Sequence, residues 1–134
     1  MIPKAAIERR LLQIATGVDC LVPLSAGTLG VLRGPRFVGV HAPSPDLDSH
    51  FRYLSGIFLM LGLAFVTTIP SIERKGPRFR LLAAMVVAGG LARGLAWAQA
   101  GAPSFGHRFG LVMELGVVPL LMLWQRRIAR KCTR

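Results

Sequence analysis

From Leu81 to Gly101 the sequence reads LLAAMVVAGGLARGLAWAQAG, twenty-one residues that are apolar or small apart from Arg93 and Gln99. As a helix at about 1.5 Å per residue this run covers roughly 31 Å, the thickness of a bilayer's hydrocarbon core. Arg93 is the anomaly within it. An arginine at such depth costs at least about 2.5 kcal/mol on insertion scales, so it is expected to face protein and to have a partner. Glu114, in the next apolar run, is the best candidate for that partner.

Three further apolar runs accompany the first, so the expected spans are about 10–32, 47–69, 81–101 and 105–125. The chain is 134 residues long and 52% hydrophobic, too apolar for an ordinary soluble domain of that size. The fold class expected is all-α: an integral membrane antiparallel four-helix bundle, one transmembrane domain over 1–134. The N-terminal 27 residues imitate a signal peptide. Because the apolar run continues to Leu32, it is read instead as a retained first helix. Cys20 within a span and Cys132 in the basic tail lie at different depths, and no metal-type spacing joins them, so neither a disulfide nor a metal or cofactor site is expected.

The formal charge of +11 does not argue for nucleic acid, because the basic residues flank apolar runs instead of lining a soluble surface. Sorted by the ends of the spans, twelve of the seventeen fall on the side of residues 4–10, 74–80 and 126–134, four (Arg33, Arg36, Arg52 and Arg108) on the other, and Arg93 lies between. That asymmetry places both termini in the cytoplasm of an inner (cytoplasmic) membrane protein with several spans.

Along the chain, Asp19 and Pro23 interrupt span 1. The proline cannot donate to the carbonyl of residue 19, so a polar notch is expected there. Residues 33–49, RGPRFVGVHAPSPDLDS, read as a long loop, of the kind that often serves as a lid. Asp46 or Asp48 is expected to cap span 2, and Asp48 and Arg52, four apart, to form a local ion pair. SIERKGPRFR reads as a basic turn before span 3, and RRIARKCTR as a tail after span 4. In span 4, His107, Gly110, Glu114 and Val117 recur along one helical face, and Pro119 frees the carbonyl of Leu115. Counted from the outer ends of their spans, Arg93 and Glu114 lie at matched depth, roughly 10–12 Å down.

The segments ERRLLQ, SHFRYLSGIF, IERKGPRFR, GGLAR and MELGVVPLLMLWQRR together resemble a bacterial membrane family catalogued as domain of unknown function 4345. The resemblance runs from about Glu8 to Arg130. It implies four spans and a polar pattern that includes His50, Arg52, Arg93 and Glu114, and it implies no activity.

Two functional readings follow. In the first, Asp19, His50, Arg52, Arg93, His107 and Glu114 form a binding site for a small amphipathic or lipid-like ligand in the outer half of the bundle, beneath the 33–49 loop. In the second, these charges only fix helix packing, and the chain is a structural or accessory subunit that meets a membrane protein partner. Membrane lipid is a partner in both. Acid–base chemistry by His50 or His107 with Glu114 has no motif behind it, so whether a reaction is catalysed stays open. His41, His50, His107, Asp46 and Asp48 show no metal-ligand spacing and no phosphate loop occurs; a transporter stays open as a reading, but it would need several copies of a four-span chain, and the sequence shows no inverted repeat.

Overall fold

The computed structural model describes residues 4–132. Among them the secondary structure is entirely helical. The long helices are α1 (Lys4–Arg33), α2 (Pro45–Val66) and α3 (Gly76–Ala100). A fourth path is built from α4 (Phe105–Val112), a π-helical turn (Met113–Val117) and α5 (Val118–Cys132). Four helical segments, Lys4–Val38, Pro45–Ser71, Gly76–Ala100 and Phe105–Cys132, are long and apolar enough to cross a membrane, with mean hydropathies of 1.3 to 1.8. Large apolar side chains are exposed along all four, as expected where lipid replaces water as the solvent. The chain is a multi-pass membrane protein with an all-α fold.

The helices overrun the expected spans where charge, not hydropathy, suggested an end. GPRFR is the first turn of α3 and not part of a turn, because Pro77 sits where a helix has no need of the amide it lacks. RRIARKC continues α5, and α1 begins at Lys4 and stays helical through Pro23. The expected 33–49 loop is mostly helical as well. Gly34–Val38 forms a 3-10 helix and α2 starts at Pro45, leaving only residues 39–44 irregular. The cap of α2 is Ser44, whose hydroxyl accepts from the Leu47 amide at 3.2 Å. Asp46 and Asp48 lie in the first turn instead, where a carboxylate complements the helix dipole without capping.

The structure divides into two compact units, one of Met1–Ala15 with Thr68–Arg134 and one of Thr16–Thr67. In the Thr16–Thr67 unit, α1 and α2 run antiparallel at close quarters. A Cβ on Gly27 would stand 2.8 Å from the Leu59 backbone, and one on Gly62 would stand 3.0 Å from the ring of Pro23. Small residues at these positions are what let two helices approach where no hydrophobic effect drives them together. Gly34 closes the end of the hairpin at a φ of 59°, with its hydrogen against the Asp48 carboxylate, where any side chain would collide.

In the other unit, α3 lies antiparallel to the fourth helical path, and the start of α1 packs at one end of the pair. That end is tied by side chains to backbone. Gln125, fully buried, donates to the Ile72 carbonyl at 2.8 Å, and Gln13 donates to that of Ile69 at 2.7 Å. Both carbonyls belong to the connection between α2 and α3, a short 3-10 helix (Ile69–Ser71) followed by a turn, where side-chain amides supply donors that a long helix would supply from its own backbone. Ion pairs surround them: Lys131 to Glu8 at 2.7 Å and Arg9 to Glu73 at 3.7 Å. Leu12, Ile72, Phe79 and Ile128 fill the interior.

Candidate functional site

Glu114 lies in the π-helical turn, whose closing bond runs from the Val118 amide to the Met113 carbonyl, five residues back. Pro119 follows at once. A proline ring clashes with the carbonyl four residues before it and offers that carbonyl no hydrogen, and widening the preceding turn relieves the clash. The helix therefore stays continuous across the proline, with Glu114 held in the wide turn and buried.

Against this turn lies Gly90 of α3. A Cβ there would be 2.9 Å from the Glu114 Cβ and 2.8 Å from the Leu115 Cδ2. The missing side chain lets the two backbones meet, and it brings Arg93, one turn further along α3, over the carboxylate. Arg93 Nε donates to Glu114 Oε2 and Nη2 to Oε1, each at 3.0 Å. This two-pronged geometry is the strongest form of a guanidinium–carboxylate contact. Gly110, one turn before Glu114, lies against the guanidinium, and a Cβ there would be in ordinary van der Waals contact with the Arg93 Cζ at 3.7 Å.

The pair is unevenly covered. The Glu114 side chain is 11% exposed and that of Arg93 is 32% exposed. Arg93 uses one edge of its guanidinium on Glu114. Its Nη1 makes no hydrogen bond among the described residues. One further turn outward on the same face of α4, His107 is half-buried, and its Nδ1 lies 3.0 Å from the hydroxyl of Ser104.

The remaining candidates belong to the Thr16–Thr67 unit. Arg52 forms the expected pair with Asp48, Nε to Oδ2 at 2.8 Å. It also donates from Nη1 to the carbonyls of Val31 and Leu32, so it closes the end of α1 as well as pairing on its own helix. Asp19 is half-buried and makes no side-chain hydrogen bond or ion pair among the described residues. His50 is exposed near the start of α2. Thus Arg93, Glu114 and His107 share one unit, while Asp19, His50 and Arg52 lie in the other. Both cysteines are free thiols, Cys20 buried and Cys132 exposed, and no group of three or more His, Cys, Asp or Glu comes together among the described residues.

Sequence reasoning passes over Gln13, Glu73 and Gln125, although each lies in a segment that carries the family resemblance. A lone glutamine at the edge of an apolar run is the available signal. A polar group there must find a partner on folding.

A family model described as Domain of unknown function (DUF4345) matches residues 11–125. The chain belongs to this family. The DUF4345 match takes in the Arg93–Glu114 pair, the π-helical turn and, close to its two ends, Gln13 and Gln125. No curated protein and no solved structure matches the chain.

Proposed function

We propose that this DUF4345 protein binds the polar head of a small amphipathic or lipid-like molecule at Arg93, in the outer half of an inner-membrane protein with cytoplasmic termini. The observation that carries the reading is the half-used guanidinium. Glu114 holds one edge of Arg93 in place, and the other edge, with Nη1, is left within a span where acyl chains offer no acceptor. An oxyanion, carbonyl or hydroxyl oxygen on a ligand satisfies that edge, and the neutral pair keeps the site cheap to bury before the ligand arrives. His107, outward of the pair, supplies a second polar contact near the rim. The orientation rests on the twelve-to-four division of basic residues.

The test is native mass spectrometry of the gently extracted protein, comparing wild type with an Arg93→Gln/Glu114→Gln variant that keeps the pair neutral. A small molecule retained by wild type and lost by the variant is the expected result. Equal retention by both counts against the site. A second reading, that the chain is an accessory subunit, draws on the same pair, because Arg93 and Glu114 neutralise one another without any ligand. It predicts a retained protein partner and no small molecule. Orientation is tested in a Cys20→Ser/Cys132→Ser background by labelling cysteines at positions 44 and 71. Labelling of position 44 alone from outside is expected, and the reverse pattern overturns the orientation.

A further inference from the structure

The end of the Met1–Ala15/Thr68–Arg134 unit opposite Arg93 carries an excess of charge that its own contacts do not absorb. Its segments 4–15, 68–80 and 120–132 hold three, four and four Lys or Arg residues, eleven in all, against two carboxylates, Glu8 and Glu73. The contacts of Gln13 with Ile69, Arg9 with Glu73, Glu8 with Lys131 and Gln125 with Ile72 bring these segments to one end. Each carboxylate is already shared between two cations, Glu8 between Lys131 and Arg127 and Glu73 between Arg9 and Arg74. Arg10, Arg78, Arg80 and Arg126 are exposed and have no acidic partner among the described residues.

From this we propose that the end of the unit binds the phosphodiester headgroups of anionic phospholipids in the surrounding leaflet. Two features support this reading, and the first of them selects lipid over a soluble polyanion. First, the unmatched cations sit within a turn of side chains that are themselves exposed and apolar. Arg10 adjoins Leu11, Arg80 adjoins Leu81, and Arg126 follows Leu123 by three residues. The charge therefore rings the membrane-crossing surface at headgroup level, within reach of long side chains whose stems lie on hydrocarbon. A nucleic acid would instead need a basic face turned away from the bilayer.

Second, Arg78 and Arg80 occupy the first turns of α3, which contain no acidic residue. Cations are unfavourable at the positive end of a helix dipole. Arg80 Nη1 lies back over the helix start, 3.1 Å from where a Cβ of Gly76 would be. A phosphodiester beside these arginines supplies the negative charge the first turn lacks. Attraction of this kind changes affinity by about fivefold for each cation near the surface.

The experiment places the full chain in nanodiscs of mixed phosphatidylcholine and phosphatidylglycerol and counts lipids retained on release into a native mass spectrometer. Wild type is expected to retain phosphatidylglycerol preferentially, and raised salt is expected to reduce that preference. An Arg10→Gln/Arg78→Gln/Arg80→Gln/Arg126→Gln variant should lose it, whereas Arg33→Gln/Arg36→Gln should keep it. If the fourfold variant fails to fold or inserts with altered topology, Arg78→Gln and Arg126→Gln are scored singly, each for about a fivefold loss. Equal retention of the two lipids by wild type overturns the proposal. So does a preference that is indifferent to salt and to these substitutions, or a labelled oligonucleotide that displaces the retained lipid.

Discussion

Arg93 holds Glu114 by two parallel hydrogen bonds of 3.0 Å across antiparallel helices, and Glu114 is presented from a helix that widens into a π turn just before Pro119. A charged residue in each of two spans thereby becomes one neutral, oriented unit. Removing one partner leaves the other charge uncompensated. Arg93→Met or Glu114→Leu alone is expected to destabilise by about 2–4 kcal/mol, somewhat less than for a fully buried pair because Arg93 is partly exposed. The double substitution should cost less than the two singles together. A double-mutant cycle on thermal unfolding in detergent checks this, and simple additivity would contradict the pairing.

Gly90 offers a test of close approach that leaves the charges untouched. A Cβ at that position meets the Glu114 Cβ at 2.9 Å, whereas one on Gly89 meets nothing within 4 Å. Gly90→Ala should therefore destabilise by about 1–3 kcal/mol through overpacking. Gly89→Ala should be neutral or mildly stabilising, by up to about 1 kcal/mol, because alanine is the better helix former. Comparing the melting temperatures of the two variants decides the matter.

Gln125 should matter more than its type suggests. Its amide is fully buried and donates to the Ile72 carbonyl, so Gln125→Leu keeps the volume but strands that carbonyl. The expected loss is about 1–3 kcal/mol. Amide hydrogen exchange should also quicken across residues 69–75, the turn that Gln125 and Gln13 fasten. An unchanged exchange rate there would mean the turn is held by other means.

The start of α2 separates two readings of one sequence. Ser44→Ala removes the hydroxyl that accepts from Leu47 and should cost about 0.5–2 kcal/mol, whereas Asp46→Asn should change stability little. Unfolding measurements on the two variants distinguish them, and a larger loss at Asp46 would return the cap to the aspartate.

The sequence alone determined that the chain forms four helices long and apolar enough to cross a membrane, and which residue had to be explained. Apolar run length against bilayer thickness makes a membrane span legible, and the insertion cost of a charge makes Arg93 conspicuous within its run. Matched depth on antiparallel spans then named Glu114 as its partner. Charge at GPRFR and RRIARKC marks the limits of the apolar runs but not of the helices, which continue through both segments because arginine and lysine are good helix formers. The prolines of 33–49 predict a loop, but Pro35 and Pro45 stand at helix starts, where proline is compatible with helix. Tertiary structure alone decided the rest. The π turn, the approach through Gly90 and the role of Gln125 each depend on what lies across from a residue. Spacing along one helix records which face a side chain occupies, and it carries no record of the backbone carbonyl or guanidinium that the neighbouring helix brings to meet it.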